Sequence, residues 1–421
     1  MTPIPLAIVG CGGMGHRHLF GLAELHRAGL NRFALVGACD PVRANAESLA
    51  DQAALFFGSR PAVVESLDEL STLDVAAVDI TTTPRAHHTL AADALHRGWH
   101  VMVEKPLGLT VRACHVIRSA VGLTGRVLSV AENYRRDPIN RLAKALLDAG
   151  AIGAPRLLLH HVIDGGNQMF ISVWRHQKDQ SGVLLDVGVH YADVMEYLLG
   201  PIDSVYAQTR LHEQLRHNAA ATGGAPLANP SGVYSRSQRE LPAIFEATAE
   251  DAVYATLLFK GGAVGQYVED HAGHGKDQWL RQIYGSAGAL LLPNDRTGGE
   301  IVLNKGGQGE LRGAQLLDLV PDFKLDEATA RLFGGERLGA YSFPFEETDR
   351  KLLAIEYADF AGAILGEHPP EVDGEQGTRS VAVSYALLES GVSRRPVTLS
   401  EVIAEELGVY QRSIDEGLGL A

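Results

Sequence analysis

The stretch Gln180-Ser181-Gly182-Val183-Leu184-Leu185-Asp186-Val187-Gly188-Val189-His190 sets an acid and an imidazole four residues apart. On a helix, that spacing puts Asp186 and His190 on one face. Histidine titrates near neutrality, so His190 suits proton exchange with a substrate hydroxyl, and the carboxylate can orient the ring or raise its pKa. Two other arrangements fit the same letters: part of a metal site, or a helix cap followed by a core histidine. No clear third ligand stands nearby, and His160-His161 or His271 with His274 sit in settings too loose to supply one, so no metal is expected. Glu104-Lys105-Pro106 is the second candidate. A lysine at the carboxyl end of a strand can orient a hydroxyl or carbonyl and stabilise developing oxyanion charge, although a Glu-Lys pair is commonly a solvated surface feature. Trp174-Arg175 and Asn133-Tyr134-Arg135-Arg136 offer aromatic faces and planar cations. Such groups suit sugar faces and hydroxyl arrays, and they also occur as ordinary surface packing.

A different chemistry is written at the N-terminus. An apolar run ends in Gly10-x-Gly12-x-x-Gly15, with Gly13 and Met14 inside the pattern. Gly10 permits a sharp turn, Gly12 lets a pyrophosphate approach the backbone, and Gly15 lets a helix pack close to the strand. The N-terminus of that helix then holds the phosphate charge. Glycine makes up 46 of 421 residues, so the pattern needs support from elsewhere. Asp40 follows Gly15 by 25 positions and closes the second apolar run. A carboxylate there accepts both hydroxyls of an adenosine ribose and repels a 2′-phosphate, which favours NAD. Arg43 pulls the other way, as a ligand for the 2′-phosphate of NADP, and Asp40 is also a plausible helix cap. Thr81-Thr82-Thr83-Pro84-Arg85-Ala86-His87-His88 follows the third run. Thr81, Thr83 and His88 then fall on the edge where open α/β sheets bind ligands, while Thr83-Pro84 also reads as a helix start.

The elements that must position these groups alternate in the first part of the chain. Apolar runs at 6–9, 33–39, 75–80, 100–103 and 127–131 read as strands buried on both faces. Helical periodicity covers 14–28, 42–54, 87–97 and 111–121, so an open parallel sheet with right-handed crossovers is expected. The pattern changes after about residue 135. A helix at 138–147 precedes strands at 156–163, 204–211, 252–260, 263–268, 282–284 and 289–292, and Lys260-Gly261-Gly262-Ala263 reads as a hairpin turn. The expected division is therefore residues 1–130, with a parallel sheet, and residues 131–421, an α+β domain with an antiparallel sheet. Segments 212–239 and 297–339 are poorly patterned, and helical periodicity returns at 347–366 and 377–390. A formal net charge of −14 argues against a nucleic-acid backbone or an anionic membrane as the main partner. Three cysteines, Cys11, Cys39 and Cys114, match no metal or disulfide framework and read as reduced thiols. No basic and apolar leader is visible and no apolar run is long enough to span a bilayer, so a cytoplasmic protein is expected.

Together these residues resemble one family, the glucose–fructose oxidoreductase / inositol dehydrogenase / MocA-like oxidoreductases. The resemblance rests on Gly10-x-Gly12-x-x-Gly15, Thr83-Pro84 with His88, Glu104-Lys105-Pro106, Asp186-x-Gly188-x-His190 and the closing helix with Asp359-Phe360. It implies an N-terminal Rossmann domain and a C-terminal α+β domain whose open, mostly antiparallel sheet forms a homodimer or homotetramer. It also implies a cis peptide before Pro106. The substrates implied are sugars, inositols or their derivatives, oxidised at a ring hydroxyl or reduced at the ketone. His190 would be the acid/base, with Lys105 and Asp186 positioning and polarising the reacting oxygen. The cofactor would lie against Gly10, Gly12, Gly13, Met14, Gly15, Asp40, Arg43, Thr81, Thr83, Pro84, His88, Glu104, Lys105 and Asn133. The substrate would meet Lys105, Tyr134, Arg135, Trp174, Arg175, Asp186 and His190. A glycosidase that retains NAD and works by transient oxidation, and a dinucleotide-sensing regulator without catalysis, are the alternatives. Gln180-Ser181-Gly182 departs from the glycine pair or triplet common in the family, and the 212–239 excursion is long for it. That excursion would shape a pocket for a larger substrate, such as a glycoside, or a subunit contact.

Overall fold

The computed structural model describes residues 2–307 and 309–421. They form two compact units. The first runs to Asn133 and also takes Pro230–Val233 and Asp349–Thr378; the second holds Tyr134–Asn229, Tyr234–Thr348 and Arg379–Ala421. A single division after residue 130 therefore differs from the structure chiefly in assigning 349–378 to the second part.

The first unit is built on six parallel strands: β1 (Ile4–Val9), β2 (Phe33–Cys39), β3 (Ala62–Val64), β4 (Ala77–Ile80), β5 (His100–Glu104) and β6 (Leu128–Ala131). Their order is β3-β2-β1-β4-β5-β6, so the direction of winding reverses between β1 and β4. The crevice beyond the carboxyl ends of those two strands is where such sheets take ligands. Leu6, Ile8, Val78, Ile80, Val101 and Val103 are fully buried, as apolar runs covered on both faces must be. Helices Gly13–Arg27, Arg43–Phe57, Pro84–His96 and Val111–Thr124 make the crossovers. The third of these begins at Pro84 rather than 87, because Thr83 takes the N-cap and Pro84 the first turn. β3 and the four-residue helix Leu67–Leu70 were not expected; neither is long enough to show a period.

Residues from Asp349 onward in the helix Phe345–Ile364 complete the core of this unit. Tyr357 and Phe360 are buried against Phe33. Gly21 faces Leu353 so closely that a Cβ would stand 2.5 Å from the Leu353 Cβ, so the missing side chain lets the two helices approach. Arg17 forks onto Asp349 with contacts of 2.9 and 2.6 Å.

The second unit carries β7 (Pro155–Gly165), β8 (Ile202–Arg210), β9 (Leu215–His217), β10 (Ile244–Glu246), β11 (Ala252–Phe259), β12 (Val264–Gly273), β13 (Gln278–Gly285), β14 (Ala289–Leu292), β15 (Val302–Lys305), β16 (Gly309–Leu311) and β17 (Val397–Thr398). Nine of them form one sheet in the order β16-β15-β14-β13-β7-β12-β11-β8-β17. Only the β7–β12 pair is parallel; the other neighbours run antiparallel. The β11–β12 hairpin turns through Gly262 at φ +88, with Phe259 N–H donating to Ala263 O at 3.0 Å. β9 and β10 pair separately and bracket a helix, Ser235–Glu240, so the poorly patterned 212–239 segment is folded around a small hairpin. One sheet face leaves Tyr206, Tyr254, Leu258 and Tyr284 exposed.

Candidate active site

In the first unit the glycine loop has the shape its spacing predicts. Gly10 sits at φ +97, and a Cβ there would lie 2.8–2.9 Å from Thr81 and Thr82. A Cβ on Gly15 would overlap the carbonyl oxygen of Gly10, to which Thr81 Oγ1 donates at 2.6 Å. Gly12 differs, since a Cβ there would meet nothing within 4 Å. It is the N-cap of Gly13–Arg27 and offers no capping side chain, so the first-turn N–H groups of Gly13, Met14 and Gly15 face an open approach. That is a cradle for an anion at a helix N-terminus, and the residues fit a dinucleotide pyrophosphate.

Asp40 is buried at the end of β2. Its Oδ2 accepts from Cys11 N–H at 2.8 Å and its Oδ1 from Val42 N–H at 2.8 Å, so the carboxylate braces the glycine loop, and the N-cap of the next helix falls on Val42. A cavity of about 510 Å³ opens beside it, lined among others by Gly10, Cys39, Glu65, Thr82 and Leu90. Arg43 stands exposed with Glu47 at 3.0 Å and Glu65 at 3.3 Å.

Lys105 follows the carboxyl end of β5, and the Lys105–Pro106 peptide is cis, as the resemblance implies. His87 Nδ1 lies 2.8 Å from the carbonyl of Pro106 and fastens this turn to helix Pro84–His96; burial pushes the His87 pKa down. His88 is buried on the same helix, and Asn133 is buried at the end of the unit, its Oδ1 without a hydrogen-bond partner. The Glu104 carboxylate points into the unit. Its Oε1 lies 3.1 Å from His18 Nε2, while His18 Nδ1 lies 2.9 Å from Asp79 Oδ2, which also accepts from the Tyr357 hydroxyl. Burial alone would lower the His18 pKa, but the two carboxylates outweigh it and hold the ring well above its ordinary range. Burial alone would likewise raise Glu104, and the His18 cation brings it below the ordinary range. Sequence reading missed His18, Asp79 and Tyr357.

In the second unit Asp186 and His190 do not share one continuous helix, contrary to expectation. Val183–Asp186 and Gly188–Leu199 are separate segments meeting at Val187, and the His190 N–H donates to Val187 O at 3.0 Å. The two side chains have different neighbours. Asp186 Oδ2 accepts from Arg175 Nε at 2.8 Å, both groups nearly fully buried, and the Arg175 guanidinium lies 4.0 Å from the Trp174 ring centroid. The His190 ring packs flat on Tyr134, with centroids 4.2 Å apart and planes 4° from parallel. Arg296 lies 4.8 Å from the centroid of the same tyrosine. Arg135 forks onto Asp193 at 2.7 and 2.6 Å.

Gly188 lies close to a buried acid: a Cβ there would stand 3.1 Å from Glu269 Oε2. Glu269 accepts from the Tyr267 hydroxyl and lies 2.9 Å from His271 Nε2, whose Nδ1 lies 2.8 Å from Asp164. Burial alone would lower His271, but Asp164 and Glu269 raise it to about 10. Tyr267, Glu269 and His271 alternate along β12 and so share a face, a signal present in the sequence and not used. The paired histidines have other partners: His274 meets Glu213, and His160 Nδ1 accepts from Arg281. Among the described residues no three His, Cys, Asp or Glu side chains converge in a metal-binding arrangement.

A parallel sheet with a glycine cradle at its switch point, in one chain with an α+β unit bearing acid and imidazole, defines a nicotinamide-dependent oxidoreductase. The chain belongs to the glucose–fructose oxidoreductase / inositol dehydrogenase / MocA oxidoreductase family. Residues 4–132 match the family's NAD-binding Rossmann fold and residues 144–399 its C-terminal alpha/beta domain. The first unit is thus an NAD-binding Rossmann domain. Levoglucosan dehydrogenase of Pseudarthrobacter phenanthrenivorans is 26% identical over 417 residues, spanning 96% of this chain and 100% of that protein. D-apiose dehydrogenase of Paraburkholderia graminis is 29% identical over 54% of this chain and 58% of its own length. Inositol 2-dehydrogenase of Burkholderia multivorans is 28% identical over 51% and 59%. The match to these two thus spans under two thirds of their length. A levoglucosan dehydrogenase solved with NADH superposes with a TM-score of 0.71 at 22% identity, over 94% of this chain and 99% of that one. An oxidoreductase domain protein from Kribbella flavida gives 0.75 at 22%, over 95% and 100%.

Proposed function

We propose that this protein is an NAD-dependent dehydrogenase that interconverts a ring hydroxyl and a ketone on a sugar, polyol or glycoside. The observation that carries the reading is the presence of Lys105 at the end of β5 and of Asp186-x-Gly188-x-His190 across the break between two buried helical segments, in a chain similar over 96% of its length to a levoglucosan dehydrogenase. His190 takes the hydroxyl proton during oxidation and returns it during reduction. Its flat packing on Tyr134 fixes the plane in which the ring presents its nitrogens. Lys105 donates to the reacting oxygen and stabilises negative charge as it develops there. Asp186, braced by Arg175, accepts from a substrate hydroxyl and sets its orientation. When bound, the nicotinamide supplies the hydride acceptor or donor. The half-exposed Tyr206, Tyr254, Leu258 and Tyr284 support assembly of a homodimer or homotetramer through the sheet face. No helix among the described residues is long and apolar enough to cross a membrane, and the three buried free thiols support a reducing, cytoplasmic setting.

The test is a panel of anhydrosugars, sugars, inositols and glycosides assayed with NAD and NADP by absorbance of the reduced nicotinamide. Lys105→Met and His190→Asn should each lower kcat by about 10²-fold or more while leaving the Kd for NAD within about twofold. Full turnover in both variants would remove their assigned roles. Release of sugar from a glycoside without net NAD reduction would replace the dehydrogenase reading with the glycosidase one.

A further inference from the structure

Arg43 begins the helix Arg43–Phe57, three residues past Asp40. A guanidinium there is suited to a 2′-phosphate, by its planar fork and by the N–H groups of the helix's first turn. A carboxylate at Asp40 is suited to free ribose hydroxyls. The chain therefore carries both cofactor signals, and the surroundings of Arg43 decide between them. Its Nε lies 3.0 Å from Glu47 Oε1 and its Nη1 3.3 Å from Glu65 Oε1. Glu47 is one turn along the same helix. Glu65 follows β3 and lines the cavity of about 510 Å³ beside the glycine loop. Its backbone N–H donates to Glu69 Oε2 at 3.0 Å, which fixes the turn that presents it. Arg97, the cation in the cavity wall, is already bound by Asp68 at 2.6 Å and Asp93 at 2.9 Å.

We propose that Glu65 determines the preference for NAD by holding Arg43 away from a 2′-phosphate. Asp40 discriminates by its own charge; Glu65 discriminates by engaging the Arg43 guanidinium. The inference rests on the NAD-binding assignment of the first unit and is independent of the substrate. Arg43 and Glu65 are both well exposed, so their attraction is screened by salt, and the effect of breaking it is modest and salt-dependent.

Binding of NAD and NADP to the full chain is measured by calorimetry for the wild type, Glu65→Gln and Glu65→Gln/Arg43→Met, with no substrate present. Glu65→Gln should bind NADP about fivefold more tightly than the wild type, with NAD unchanged within about twofold. Arg43→Met on that background should remove the gain. Raising the salt from about 0.05 to about 0.5 M should shrink it. An unchanged NADP affinity in Glu65→Gln, or a gain that persists in the double variant, would overturn the proposal. A wild-type chain that binds neither dinucleotide would overturn the cofactor assignment beneath it as well.

Discussion

Replacing His18 by glutamine removes the cation on which two buried carboxylates depend. His18 is fully buried, with Asp79 at 2.9 Å on one nitrogen and Glu104 at 3.1 Å on the other. Asp79 is held further by Tyr357 and has one oxygen without a partner. Removing one member of a buried ion pair leaves an uncompensated charge and costs about 3–5 kcal/mol. The glutamine amide can donate at one end only, so it relieves one carboxylate and leaves the other. The loss also has a pH signature. In the wild type His18 depresses Glu104, so that carboxyl contributes stability above its ordinary range and loses it as pH falls through the folded value. Without His18, burial raises Glu104, and its contribution is then lost as pH rises. The deficit of His18→Gln should therefore be largest near neutral pH, shrink toward about pH 5, and shrink again at alkaline pH as the wild type loses the charge on His18. Hydrogen exchange of the amides of β4 and β5 reads the opening of the strands that carry Asp79 and Glu104. A deficit below about 1 kcal/mol near neutral pH, or one that grows on acidification, would refute the reasoning.

The parallel sheet was legible because β1, β2, β4, β5 and β6 are apolar runs buried on both faces, and β3 was not because three residues show no period. The glycine loop was legible because backbone geometry dictates residue type there: Gly10 needs its positive φ and Gly15 its bare Cα. His18 was not, since its partners lie 61 and 86 residues away and meet it only once the strand order is known. Asp79 within Ala77–Ile80 and Glu104 within His100–Glu104 are acids inside buried apolar strands. That alone signals a hidden cation. In the second unit Asp186 and His190 were expected on one helical face, and the structure breaks that helix at Val187. Arg135 was read as a possible sugar contact, yet its guanidinium is engaged by Asp193, because a planar cation suits a protein carboxylate as well as a hydroxyl array. Arg296 beside Tyr134 left no sequence trace: it is a left-handed loop residue, placed where Asp295 forks onto Arg281.

Two glycines of one loop should behave oppositely. Gly15→Ala forces the Gly10 carbonyl to move and should cost about 1–3 kcal/mol in thermal unfolding. Gly12→Ala meets nothing within 4 Å and should unfold as the wild type does, yet weaken NAD about tenfold or more by calorimetry; unchanged affinity would show that no phosphate passes there. His271 supplies an alkaline limit to stability. Its pKa is raised to about 10 in the fold, so its contribution is complete below its ordinary value and is lost as pH climbs through about 10. Glu269, pushed upward by burial, acts in the same sense, its contribution declining as pH rises. Asp164→Asn removes one of the two carboxylates that hold the imidazolium, so the His271 pKa falls, its contribution near neutral pH shrinks, and the decline with rising pH ends earlier. Thermal unfolding followed from about pH 6 to 10 should show the variant furthest below the wild type near pH 6, where His271 carries its charge, and the two midpoints converging toward about pH 10 as the ring loses its proton. Parallel curves would mean that Asp164 does not hold the charge on His271.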